Sequence, residues 1–110
     1  MSRREAKAVI KDMIEAAERI ISYTRNLEYE DFLNDYKTQD AVIRNIEILG
    51  EAVNLLPEDI KEKYPAIPWK DIAGTRDRLI HEYFGVNIDI VWNIAMNEIT
   101  SLSSQLKNEI

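Results

Sequence analysis

AVIRNIEILGEAVNLLP, residues 41–57, sets Val42, Ile43, Ile46, Leu49, Ala52, Val53 and Leu56 three or four positions apart. That period lays one apolar stripe along a helix. Thr38 is the expected N-cap upstream, and Pro57 stops the helix because it brings no amide hydrogen and clashes with the preceding turn. Working towards the N-terminus, Tyr29, Phe32, Leu33 and Tyr36 suggest one or two helical turns after Asn26. Before them, Ala6, Val9, Ile10, Met13, Ile14, Ala17, Ile20 and Ile21 predict a long amphipathic helix from Glu5 to Arg25.

Towards the C-terminus, Pro57 opens a short helix over PEDIKEKY. Tyr64–Pro68 cannot be helical, because each proline disfavours helical geometry in the residue before it. Pro68 then suits the start of a third long helix, Trp69 to about Phe84, with Gly85 as its left-handed C-terminal cap. Asn87 caps the last helix, in which Ile88, Trp92, Ala95, Ile99, Leu102 and Leu106 alternate four and three apart. That spacing calls for a partner surface in the same chain or a second copy. The expected architecture is all-α: an up-and-down four-helix bundle with short extra helical turns, in a single domain over residues 1–110. Trp69 and Trp92 are expected in the core or an interface.

Composition narrows the function classes. The chain has no cysteine, which removes disulfides and thiolate metal sites. MSRREAKAVIKDMIE breaks its apolar residues with charges, unlike a signal peptide, and no stretch approaches a membrane span. The expectation is therefore a cytoplasmic protein with no membrane partner. The net charge of −6 is unevenly spread: residues 27–60 hold nine acids against Lys37 and Arg44, while residues 1–26 hold six bases against four acids. Charge alone argues against a nucleic-acid partner, yet the basic N-terminal helix is compatible with RNA contact on one face.

The chemistry concentrates in WKDIAGTRDRLIHEYFGV, residues 69–86. Arg76 offers a planar, permanently charged fork for phosphate oxygens. His81, the chain's one histidine, is the side chain best suited to exchange a proton near neutral pH. Cleaving RNA without a metal takes a group to accept the 2'-hydroxyl proton, one to protonate the leaving oxygen, and a cation to steady the phosphorane. Asp77 is four residues from His81, on the same helical face, where its carboxylate can orient the imidazole and favour its protonated form. Tyr83, two turns from Arg76, can present its hydroxyl to a phosphate or serve as a modification site. Residues five apart on a regular helix point about 140° from each other. Arg76 and His81 therefore converge only if the helix distorts or two copies share a cleft, and a two-fold axis through this helix favours the second. The blander alternative is a structural histidine and a solvated face with Arg78 and Glu82 as an i,i+4 pair. Arg44, Glu47 and Glu51 fit either a support for the motif or partner, or a salt-bridged surface.

Arg76, four residues, His81, one residue, Tyr83 resembles the signature of HepT-like HEPN proteins. Ala41–Pro57 is similar to that family's second helix, and Tyr64–Trp92 to its loop, motif helix and entry to the last helix. The family commonly has asparagine where this chain has Asp77. The resemblance implies a homodimeric helical bundle acting as a metal-independent endoribonuclease toxin, with catalytic Arg76 and His81 and neither metal nor cofactor. It also implies a neighbour-encoded MntA-type nucleotidyltransferase antitoxin that transfers AMP to Tyr83. The alternative is a non-catalytic module that binds such a nucleotidyltransferase or nucleic acid.

Overall fold

Ser2 begins the first helix by accepting the Glu5 amide hydrogen on its side-chain oxygen (3.1 Å), which satisfies a donor the helix itself leaves open. The computed structural model describes residues 1–79 and 85–109, without the side chains of Arg76 and Glu109. Helix α1 (Arg3–Thr24) ends where the Thr24 hydroxyl donates back to the Ile20 carbonyl (2.8 Å). Asn26 then takes a left-handed φ of 65° and reverses the chain. Helix α2 (Tyr29–Leu33) supplies the expected acidic-aromatic turns and buries Phe32 completely.

Helix α3 (Tyr36–Leu55) corrects the expected start. Asp35, not Thr38, is the N-cap: its carboxylate accepts from the Thr38 amide (3.0 Å) and the Thr38 hydroxyl (2.6 Å). Thr38 is the residue being capped. Gln39 donates to the Phe32 and Leu33 carbonyls and so fastens α3 to α2. Helix α4 (Glu58–Lys63) begins after Pro57, as its ring predicts. Trp69, at the start of helix α5 (Trp69–Ala73), is buried and donates from Nε1 to the Lys61 and Tyr64 carbonyls, closing the proline-rich loop.

Two expectations for the C-terminal half need correction. The helix expected from Trp69 to about Phe84 breaks at Gly74, whose ψ of −1° departs from helical values. Thr75 contributes by donating its hydroxyl to the Asp71 carbonyl (2.9 Å). Helix α6 (Thr75–Leu79) restarts the chain, and residues 80–84 of the expected helix lie outside the described residues. Gly85 has the anticipated positive φ, 86°. Helix α7 (Ile88–Asn93), capped by Asn87 as expected, does not continue in plain α geometry. A π-helical segment, Ile94–Glu98, joins it to helix α8 (Ile99–Glu109) with helical dihedrals at both junctions.

The layout is an antiparallel bundle of α1, α3, the broken α5–α6 pair and the α7–π–α8 rod. No strand lies among the described residues. α1 packs against α3 and α8, and α3 also carries α5 and α6. The four-three spacing of the last helix thus finds its partner surface within the chain. Trp92 stacks on Tyr29 and Phe32, with ring centroids 6.0 and 5.1 Å away.

The Thr38 hydrogen bonds hold the Asp35 carboxyl below its usual value of 3.8. A depressed folded-state value means that the cap's contribution is complete above pH 3.8 and disappears as the pH falls through the lower folded value. Asp35→Ala is therefore expected to lower Tm by a few degrees at neutral pH. Thermal melts from pH 7 down to pH 2 should show that difference from wild type close on the acid side.

Candidate active site

Helices α5 and α6 place the motif segment against α3. At their junction the chain comes close: a Cβ on Gly50 of α3 would sit 3.5 Å from the Ile72 carbonyl oxygen. Thr75 and Leu79, four apart, are both buried and form the inner face of α6. Arg76 lies on this helix between them, and Asp77 and Arg78 are exposed. The far end of the segment is tied down as well. The Asn87 amide donates to the Leu79 carbonyl (2.7 Å), while the Asn87 side chain accepts from the amides of Asp89 and Ile90. Asn87 therefore starts α7 and also returns the chain to the end of α6.

His81 and Tyr83, with Glu82, fall outside the described residues. Of the four residues singled out from the sequence, the structure places Arg76 and Asp77 on α6. The Arg76–His81 separation and the Asp77–His81 contact are not among the described geometry.

The sequence named Arg78 with Glu82 as its local partner, and missed the long-range partner through which Arg78 braces α6. Arg78 reaches Glu98 on the π-helical segment in a bidentate pair, Nη1 to Oε1 at 3.0 Å and Nη2 to Oε2 at 2.6 Å. Hydrogen bonding to Glu98 raises the Arg78 pKa above its already high ordinary value, with Glu98 and Asp71 charges adding to it. Twenty residues separate the partners, so no local spacing announces the pair. A second long-range tie is similar: Tyr29 Oη donates to Asp89 Oδ1, and this bond, with desolvation and the Asp89 charge, raises the tyrosine's pKa. On α3, Arg44 pairs with Glu51 at 3.6 Å, both well exposed. That matches the salt-bridged surface rather than a support for the motif.

Between α3, α5, α6 and the π–α8 rod lies a cleft of about 320 Å³. Ile46, Leu49, Ile72, Ile94 and Leu102 line its floor, and Asp71, Thr75, Asn97, Glu98 and Gln105 its rim. A π-helical turn shifts the register of the side chains that follow it, and such turns recur at functional sites. Here the shifted segment carries both Glu98 and Asn97 to the cleft beside α6. Among the described residues no group of three or more His, Cys, Asp or Glu could hold a metal ion. No helix among them is long and apolar enough to cross a membrane.

Residues 13–109 match the family model described as Ribonuclease HepT-like. The chain belongs to that HepT-like ribonuclease family. It is 45% identical over 105 residues to the "Probable ribonuclease HepT" of Thermococcus cleftensis, covering 96% of each chain. It is 46% identical over 110 residues to a "Putative RNase" of Methanocaldococcus jannaschii, covering 100% of this chain and 91% of the other. A "Putative RNase" of Caldanaerobacter subterraneus subsp. tengcongensis is 43% identical over 98 residues, with 89% and 88% covered. No solved structure gives a significant match.

The side chains of Arg78 and Glu98 are 39% and 40% exposed, so water screens the pair and its net value is about 1 kcal/mol or less. A double-mutant cycle of Arg78→Ala and Glu98→Ala in urea should return a coupling energy of that size. Additive effects would mean that the pair does not hold α6 in solution.

Proposed function

We propose that this chain is the toxin of a two-gene toxin–antitoxin pair, a metal-independent endoribonuclease that uses Arg76 and His81. The observation that carries this reading is the match of residues 13–109 to the HepT-like ribonuclease family, joined to the presence of Arg76, His81 and Tyr83 at the family spacing. The anchored α6 segment adds support, because a catalytic cation works best when its backbone is held before substrate arrives.

In the proposed reaction the 2'-hydroxyl oxygen attacks the adjacent phosphorus as its proton is withdrawn. The O2'–P bond forms, the P–O5' bond breaks, and the leaving O5' takes a proton, yielding a 2',3'-cyclic phosphate and a 5'-hydroxyl. His81 handles proton transfer, worth about 10²–10⁴-fold in rate. Arg76 binds the charge that builds on the non-bridging oxygens. Asp77 orients the imidazole and favours its cationic form. Because residues five apart on a helix diverge, the site is completed by a second copy, so the active species is a homodimer.

The partner is a nucleotidyltransferase antitoxin of the MntA type. It silences the toxin by moving AMP from ATP to Tyr83: the phenolic oxygen bonds to the α-phosphorus and pyrophosphate leaves. A phosphate-bearing adduct beside Arg76 and His81 blocks the site and repels RNA. The net charge of −6 and the exposed Asp77 carboxylate favour one other reading, a non-catalytic module that holds the nucleotidyltransferase or nucleic acid.

Purified protein should cut RNA in the presence of a chelator and leave cyclic phosphate ends, with His81→Ala at least 100-fold slower. Mixing Arg76→Ala with His81→Ala chains should restore part of the activity, because the mixed dimer regains one intact pair. Undiminished cleavage by His81→Ala would remove the catalytic assignment. For the tyrosine, co-expression with the antitoxin should add the mass of one AMP to a peptide containing Tyr83. Neutralised toxicity with an unmodified Tyr83 would point to simple occlusion.

A further inference from the structure

A group of cations on this acidic chain lies away from the motif helix. A cleft of about 430 Å³ opens between the first turns of α1 and the end of α4. Ala6 and Ile10, both buried, form its floor, and Ile60 and Tyr64 its partly buried wall. Arg3, Lys7 and Lys63 surround it, with Asp59 as its one acid. None of the three cations takes part in an ion pair among the described residues. The Lys63 ammonium instead stands over the Tyr64 ring, 5.8 Å from its centroid. Arg3, Lys7 and Lys11 are four apart on α1 and all exposed, so one stripe of positive charge leads up the helix from the cleft.

We infer that this cleft is a second binding site on the protein, for the sugar-phosphate backbone of a single-stranded RNA. Three lines of physical chemistry converge. First, a chain of net charge −6 repels a polyanion at long range, so an RNA partner needs local concentrations of unpaired cations, and this is one. Second, cations four apart on a helix recur about every 6 Å along its axis, a rise of the same order as the step between successive phosphates of an extended strand. Third, a positive groove with an aromatic ring in its wall is the usual construction for holding single strands without reading their sequence. Tyr64 offers that ring, and Lys63 can exchange its position over the ring for a phosphate when a base stacks there. The site would keep a strand bound while another part of it lies at α6.

The ribonuclease reading enters only in naming the strand as RNA. Binding can be measured without cleavage, so the two stand or fall separately. The probe is a fluorescent 2'-O-methyl oligoribonucleotide of about twelve residues, which lacks the 2'-hydroxyl nucleophile. Its anisotropy is titrated with full-length protein across a range of salt concentrations. The Arg3→Ala/Lys7→Ala/Lys63→Ala variant should bind at least tenfold more weakly at low salt. Its slope of log affinity against log salt should fall by about 2, for three phosphate contacts at ~0.7 each. Tyr64→Leu should weaken binding about fivefold or more with the slope unchanged. Lys37→Ala, on α3 and outside the cleft, is the control and should leave both quantities as in wild type. Cleavage of a dinucleotide by the triple variant should equal that of wild type. Wild-type slope and affinity in the triple variant would overturn the proposal. So would an equal loss in Lys37→Ala, which would show that overall charge and not this cleft governs binding.

Discussion

The whole structure hangs on the seam between α1 and α3. Met13, Ala16, Ala17 and Ile20 face Val42, Ile46, Leu49 and Val53, and each of these is 2% exposed or less. Two adjacent alanines in α1 allow the helix backbones to approach, and the larger aliphatic chains fill the space around them. Burying one such aliphatic side chain is worth about 1.5–3 kcal/mol, so this seam outweighs any of the exposed ion pairs. Every other element is positioned from it. α2 is fastened to the start of α3 through Gln39, α5 and α6 pack on α3, and α8 packs on α1.

That arrangement holds the described part of the motif helix at Thr75 and at Leu79. The break at Gly74 divides α5 from α6, and both pack on α3. Thr75 and Leu79 remain buried after the break, which sets the outward face of α6. The π-helical segment is the complementary irregularity on the facing rod. It places Glu98 against Arg78, and so two departures from regular helix meet around one cleft. Regular geometry would have been cheaper in hydrogen bonds, and irregularity at two touching elements fits a site whose side chains must be aimed.

Charge is arranged by region. Most acids of residues 27–60 lie on α2 and α3, while Arg3, Lys7 and Lys63 gather at the beginning of α1 and the end of α4 with Asp59 as the one acid beside them. An even distribution of the same residues would repel a polyanion everywhere. The resulting cationic cleft leaves the core untouched, because Arg3, Lys7 and Lys63 are exposed.

How much of this was legible beforehand depends on the range of the interaction involved. Helix periodicity, the stop at Pro57, the positive φ at Gly85, the cap at Asn87 and the burial of Trp69 follow from residues within a turn or two of one another, and the family resemblance rested on similarly local motifs. Arg76 and Asp77 could be named for the same reason. Thr38 was mistaken for a cap because threonine and aspartate are both good at it, and only the geometry of the turn after Leu33 decides between Asp35 and Thr38. The break at Gly74 had a local sign, a glycine followed by a threonine, but whether a helix bends there depends on what lies beneath it. The Arg78–Glu98 pair and the convergence of α1 with α4 had no sign at all. They join residues far apart in the chain, and only the packing of helices around the α1–α3 seam brings such residues together.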